Sequence, residues 1–235
     1  MSTALASAEI VSVQVGRAAP LPWRGATVPS GIVKRPVSGR IALAADGLAG
    51  DEQADLSVHG GPDKAVYAYP QEHMPGWEEL LGKALGPGAV GENLSLRGLL
   101  EDDVRIGDVF TAGTATLQVS QPRGPCFKFA ALHDRRELPA VMARQGNAGW
   151  YFRVLQTGAI GAGDALALVA RGSEVTVAEV LRVTYRDRRD GTTGSAGGDA
   201  AIARVMAVPE LAPQWRAQLE HLARRRMLPL GEFGT

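Results

Sequence analysis

Residues Gln118 to Lys128 read Gln-Val-Ser-Gln-Pro-Arg-Gly-Pro-Cys-Phe-Lys and hold the only cysteine of the chain. Pro122, Gly124 and Pro125 oppose a helix and hold the backbone in a stiff turn. Cys126 is therefore presented from a fixed loop, with Arg123 and Lys128 as neighbouring cations. Such cations favour a thiolate, the form that acts as nucleophile or soft-metal ligand. A lone cysteine is by default a small buried hydrophobe, and that reading competes. Two prolines, a glycine and two bases weigh against it.

A second stretch, Asp46 to Pro62, places Asp51, Asp55 and His59 at intervals of four among Gly47, Gly50, Gly60 and Gly61. The spacing would align all three on one helical face. The glycines and Pro62 favour instead a loop that gathers them in a cleft. Carboxylates beside a histidine fix its tautomer and favour its charged form, which suits proton donation near neutral pH. Carboxylates that cap a turn are the alternative, and they leave His59-Gly60-Gly61 unexplained. Asn93, in Gly91-Glu92-Asn93-Leu94, suits a hydrogen bond to a heteroaromatic ring or to its own turn. Lys34, Arg35 and Arg40 are solvated bases or an anion site.

The elements that must position these groups are mostly short strands. Val11, Val13 and Val15 alternate with Ser12 and Gln14, the period of a half-buried strand. Gly16 to Ser30, with Pro20, Pro22, Gly25 and Pro29, reads as loop. Strands come next at Arg40 to Leu43 and Ala65 to Tyr69, then a helix over Gln71 to Leu81 carrying Trp77. Ile106 to Phe110 and Ala115 to Val119 form a hairpin around Gly113, and its second strand leads into the cysteine loop. A helix spans Arg136 to Arg144, and strands span Gly149 to Leu155 and Gly161 to Val169. Two helices among so many strands predict a mainly β architecture, closed or strongly bent into a barrel that protects its edges. Beyond Arg171 the pattern becomes helical. Thr176 to Glu179 forms a capping box, Asp199 caps a second helix, and Pro213 opens a third with Trp215, Leu219 and Leu222. The expected division is a barrel domain over 1–170 and a small three-helix domain over 171–235.

The chain has 235 residues, 45% of them hydrophobic, and a formal net charge of zero, so it can bury a sizeable core and has no bulk attraction to nucleic acid. One cysteine excludes an internal disulfide, a four-thiolate zinc site and an iron–sulfur cluster from this chain alone. No apolar run approaches a membrane span and the N-terminus lacks a signal pattern, so the expected location is the cytoplasm.

Lys34-Arg35-Pro36-Val37, Gly50-Asp51-Glu52-Gln53-Ala54-Asp55, His59-Gly60-Gly61, Gly91-Glu92-Asn93-Leu94, Gly107-Asp108 and Gln121-Pro122-Arg123-Gly124-Pro125-Cys126 together resemble a MOSC domain. More narrowly, the order and reach of these motifs resemble the bacterial YiiM group, from about Val11 to about Arg225. The resemblance implies a β-barrel that binds the molybdenum–molybdopterin cofactor and reduces N-hydroxylated compounds, 6-hydroxylaminopurine among them, as its amidoxime-reducing relatives do. It implies Cys126 as the metal-ligating thiolate, and Lys34, Arg35 and Arg123, with Arg40 a weaker candidate, at the cofactor phosphate. Ser120, Asn93 and Tyr151 would complete the cofactor site, and His59 helped by Asp55 would give protons. Electrons would come from an external ferredoxin or flavoprotein. The sequence leaves room for a homodimer, for a cofactor carrier or sulfur-transfer module without reductase activity, and for a Cys126–His59 thiol hydrolase.

Overall fold

The structure, a computed structural model, describes residues 7–55, 60–186 and 196–227. The strands are β1 (Ser7–Val15), β2 (Ala19–Trp23), β3 (Ala26–Ser30), β4 (Arg35–Pro36), β5 (Ile41–Ala44), β6 (Gly47–Leu48), β7 (Val66–Pro70) and β8 (Leu94–Arg97), then β9 (Val109–Ala112), β10 (Ala115–Pro122), β11 (Trp150–Gln156), β12 (Gly158–Ile160) and β13 (Ala165–Ala170). The helices are α1 (Met74–Leu81), α2 (Phe127–His133), α3 (Leu138–Gln145), α4 (Val177–Leu181), α5 (Ala196–Met206) and α6 (Pro213–Met227), with a π turn at Arg182–Arg186.

Seven strands close into a barrel in the order β13-β9-β10-β11-β7-β8-β1, with β1 pairing back to β13 and β4 hanging on the far end of β1. Closure removes the open edges that short strands would otherwise expose. Every pairing in the barrel is antiparallel except β7 with β8. A parallel pair needs a crossover, and α1 supplies it. Trp77 of α1 anchors that crossover, buried against Phe129 with ring centroids 5.2 Å apart and donating its Nε1–H to the Tyr69 hydroxyl at 2.6 Å. Ile10, Leu94, Phe110, Leu117, Phe152 and Leu166 fill the interior, and the same continuous apolar cluster runs on to Ile202, Trp215 and Leu222 of the C-terminal helices.

Two bulges matter. A shift between Ile10 and Ser12 breaks the simple alternation of β1, so Ala8, Ile10 and Val13 point inward while Val11 and Val15 are only partly buried. On β10, Val119 pairs with Phe152 and Gln121 with Tyr151, which leaves Ser120 as the extra residue. A bulge bends a strand and re-aims the chain beyond it, and the segment re-aimed here is the cysteine loop. The Ser120 hydroxyl reaches the carbonyls of Asp63 (2.6 Å) and Tyr151 (3.0 Å), and its own carbonyl accepts from Ala212 N at 3.0 Å. The bulge thus ties three separate chain segments together.

Several expectations need correction. Residues 16–30 hold a hairpin, not a loop, turned at Arg24 and Gly25, both at positive φ. Pro20, Pro22 and Pro29 fall at alternate positions of the two-stranded ladder, where a backbone N–H would point outward, so the ring costs no hydrogen bond. A third helix, α2, starts at Phe127 directly after the cysteine loop. Helix α5 begins at Ala196, which puts Asp199 in its first turn rather than at its cap. The Thr176 cap forms as expected, its Oγ1 accepting from Glu179 N at 3.1 Å.

Gly149 joins α3 to β11 at φ +66, and a Cβ there would lie 2.3 Å from the Ala68 carbonyl oxygen. Its N–H donates to the buried Glu101 carboxylate at 2.8 Å. Gly149→Ala is expected to lower stability by about 2 kcal/mol or more, since it combines backbone strain with a clash that only a shift of β7 could relieve. Urea unfolding of the two proteins measures it.

Candidate functional site

The bulged end of β10, the loop after β3 and the C-terminal helices enclose a cavity of about 490 Å³. That volume suits a bound small molecule or cofactor. Cys126 stands in its wall as the residue preceding α2, its backbone extended at φ −131 and ψ 141, and is partly exposed. The stiff turn therefore does what its prolines suggest, and helix α2 fixes its far end.

Three residues before the cysteine lies Arg123, 5% exposed. Its guanidinium carbon sits 5.5 Å from the centre of the Tyr67 ring, and an N–H reaches the Met142 sulfur at 3.2 Å. Its backbone N–H donates to Gly149 O at 3.1 Å. Tyr67 and Tyr151, rings 5.3 Å apart, stand beside it. Burial raises both phenols, and the Arg123 charge partly opposes the rise, so both stay neutral. Burial would lower the guanidinium, yet Tyr67, Tyr151 and the Cys126 sulfur turn the net direction upward. Among the described residues no Asp or Glu pairs with Arg123. A desolvated cation without a carboxylate beside it is costly, and an anionic ligand in the cavity would relieve that cost.

Lys34 presents the opposite arrangement. Its Nζ meets Asp51 Oδ1 at 2.5 Å, and both side chains are buried. Asp51 also accepts from Gly16 N (2.8 Å) and from Asn93 Nδ2 (2.9 Å). Asn93 accepts from Tyr67 N at 3.1 Å and donates to Gln14 O at 3.2 Å. Here a lysine is delivered to the cavity with its charge already compensated. Lys64 joins the same wall, its Nζ bonded to Gln214 Oε1 of α6. Burial lowers the Lys64 ammonium, while Asp63 and the Cys126 sulfur act against the fall.

A thiol and four cations, Lys34, Lys64, Arg123 and Lys128, thus surround one hollow at the end of a seven-stranded barrel. The MOSC domain model matches residues 55–167. The chain is 40% identical to the uncharacterized protein YflK of Bacillus subtilis, over 94% of this chain and 96% of that one. The crystal structure of YiiM from Geobacillus stearothermophilus superposes with a TM-score of 0.74 at 38% identity, over 92% of this chain and 99% of that one. A reductase of Gibberella moniliformis is 38% identical over 63% of this chain, a match spanning 27% of the fungal protein. The chain belongs to the MOSC domain family, in its YiiM group.

In this MOSC protein Cys126, Lys34, Arg123 and Tyr151 all line one cavity. The other candidates that the structure describes do not. Ser120 is spent on the bulge, and Asn93 lies one bond behind, holding Asp51 and the backbone of Tyr67. Arg35 is exposed on β4, and Arg40 pairs with Asp164 at 2.5 Å on the outside of the barrel. Asp55 is exposed, and His59 lies outside the described residues. Asp51 faces Lys34 and is that lysine's partner.

Sequence pattern alone does not point to Lys64, Tyr67, Gln121 or the whole C-terminal wall, Tyr185, Gln214, Trp215 and Gln218. The Trp215 ring lies 3.7 Å, and the Tyr185 hydroxyl 3.3 Å, from the point where a Cβ on Gly124 would sit. The helical segment is packed directly onto the cysteine loop. Among the described residues no three His, Cys, Asp or Glu side chains converge on a metal position, and no helix is long and apolar enough to cross a membrane.

The two buried cations behave differently on titration and on ligand addition. Adding inorganic phosphate is expected to raise the Tm of the cofactor-free chain and to leave that of Arg123→Met unmoved, as read by scanning calorimetry. Burial pushes the Lys34 ammonium down, against the pull of Asp51 and Glu92. The unfolded chain then holds its proton to higher pH than the native one, so native stability rises between the lowered value and the ordinary value of 10.5. Lys34→Met is expected to lose that rise and, at neutral pH, to be less stable by about 3 kcal/mol because Asp51 is left buried without a counter-charge. Urea unfolding from pH 7 to 10.5 measures both effects.

Proposed function

We propose that this chain is a molybdenum cofactor-dependent reductase of N-hydroxylated compounds. The observation that carries the reading is the meeting, in one cavity, of the chain's only thiol and a buried guanidinium with no carboxylate partner among the described residues. The residues present fit the cofactor. Cys126 offers one soft ligand to a metal whose remaining ligands must arrive with it, and the pterin brings them. Arg123 offers uncompensated charge to the cofactor's phosphate, with Lys34 and Lys64 on the same cavity wall, and presents the planar fork that suits clustered anionic oxygens. A fungal relative is named a reductase, which agrees with a reductive role and says nothing of the substrate.

When bound, the cofactor supplies two-electron redox chemistry, which together with two protons converts an N-hydroxy group to an amine and water. The chain's own residues do the rest. Cys126 would hold the metal, and Tyr67 and Tyr151 stand against Arg123, which lines the same cavity. Neutral phenols exclude water around it without competing for the anion. His59, with Asp55, is the proposed proton donor to the departing oxygen. With one cysteine and no cluster of its own, the chain takes its electrons from a separate ferredoxin or flavoprotein.

Cys126→Ser is expected to fold normally, lose at least about nine-tenths of its bound molybdenum and lose dithionite-driven reduction of 6-hydroxylaminopurine; metal analysis and the assay check both. Wild-type protein that retains molybdenum and pterin yet reduces neither this compound nor an amidoxime would sink the reading in favour of a carrier. His59→Gln is expected to remove the fall in rate on the alkaline side of the pH–rate profile, where a histidine donor has lost its proton, and an unchanged profile takes His59 out of its role.

A further inference from the structure

The cavity has two unlike halves. Lys34, Lys64, Arg123, Lys128 and Glu52 give one part of the lining its charge, and Arg123 is its most deeply buried cation. The opposite wall, contributed by Tyr185, Gln214, Trp215 and Gln218, contains no charged group. Phe127 lies between the halves. It comes directly after Cys126, lines the cavity, and leaves 45% of its surface uncovered, unusual for a phenylalanine beside such a packed core. An uncovered aromatic face inside a cavity is a platform awaiting a ring. Tyr185 is partly buried and is held edge-on by Trp215, with ring centroids 6.3 Å apart and planes at 88°. Its hydroxyl accepts from Gln218 Nε2 at 3.4 Å. Gln214 and Gln218 are four residues apart on α6 and so share a face, and both are exposed.

We infer that this neutral wall is the substrate-selecting part of the site, with Phe127 and Tyr185 gripping the faces of a flat, uncharged nitrogen heterocycle and the Gln214 and Gln218 amides reading its edge. Gln214 Oε1 accepts from Lys64 and Gln218 Nε2 donates to Tyr185, so the Gln214 NH2 and the Gln218 carbonyl oxygen are the donor and the acceptor that can match adjacent ring and exocyclic nitrogens. Exposure separates this role from cofactor binding. Arg123 and the Lys34 side chain are buried, whereas Phe127, Gln214 and Gln218 stand exposed, where a ligand must come and go with each turnover. An acyclic N-hydroxy compound has no ring face to offer and gains little from this wall.

The inference rests on the reductase reading, and its test separates the two. Phe127→Ala and, because Phe127 adjoins Cys126, the remote Gln218→Ala are prepared in the full chain isolated with its cofactor. The ratio of kcat/KM for 6-hydroxylaminopurine to that for acetamidoxime is expected to fall roughly tenfold in Phe127→Ala, mostly through KM, and by a smaller factor in Gln218→Ala. Calorimetric binding of adenine, the uncharged amine product, weakens in parallel, and molybdenum and pterin contents stay at the wild-type level. Equal losses on both substrates, an unchanged ratio, or loss of the cofactor overturns the assignment. If the wild type reduces neither substrate, the reductase reading fails and the adenine titrations decide alone. Weaker binding in the variants then upholds the selecting wall, and equal or absent binding overturns it.

Discussion

A guanidinium held out of water with no carboxylate beside it is the constraint around which this end of the barrel is arranged. Arg123 keeps its charge at any accessible pH, so the surroundings must supply something other than a counter-ion. They supply an aromatic face from Tyr67, a thioether from Met142 and the phenol of Tyr151. A ring face attracts a cation by its quadrupole, typically by about 1–2 kcal/mol when desolvated, well short of the several kcal/mol that burial costs per ion. The shortfall is what makes the cavity anion-seeking. A carboxylate in place of Met142 would close that gap and abolish the reason for an anion to enter.

The contrast with Lys34 sharpens the point. The side chain of that lysine is also buried, but Asp51 compensates it; Asn93 and Gly16 in turn hold Asp51, and the Gln14 carbonyl holds Asn93. Glu92 sits in the same region, buried and bonded to the backbone of Gly88 and Val90 and to Ser95, which accepts from Gln14. Burial pushes the Glu92 carboxyl up while those hydrogen bonds pull against the rise. This polar network runs through the ends of β1 and β8 and fixes the loop that carries Lys34. One cation is therefore there to be rigid, and the other to be unsatisfied.

How much of this is legible in the sequence depends on what each residue's neighbours in the chain reveal. β7, β10 and β11 announce themselves because β-branched and aromatic residues dominate them, and Cys126 stands out because prolines and bases flank it. The β2–β3 hairpin does not, since Pro20, Pro22 and Pro29 signal a loop until the register shows that all three sit where no ladder bond is needed. Helix α2 hides behind the same punctuation that exposes the cysteine. Asn93 and Ser120 stand out as polar groups in apolar surroundings, but composition cannot tell a residue that touches a ligand from one that holds the residue that does. Arg35 fails for a simpler reason: extended backbone turns it away from its neighbour Lys34.

The C-terminal wall escapes sequence reasoning for a cause that bears on how the site works. Periodicity places Trp215, Leu219 and Leu222 on one buried face of α6, yet it says nothing of what that face is buried against. In the folded chain it lies on the cysteine loop, so close that a Cβ on Gly124 would lie 3.3 Å from the Tyr185 hydroxyl and in van der Waals contact with the Trp215 ring. Ala212 N donates to the bulged Ser120, and Arg153 links Asp63 and Gln118 of the barrel region to the Glu210 carbonyl just before α6. These bonds bind the helices to the strand that delivers Arg123 and Cys126. The charged half of the cavity and its neutral half thus share one mechanical frame, and a shift of α6 would move the neutral wall and the thiol together. A site made this way needs the barrel to place charge and sulfur, and needs the helices to give the cavity its second side.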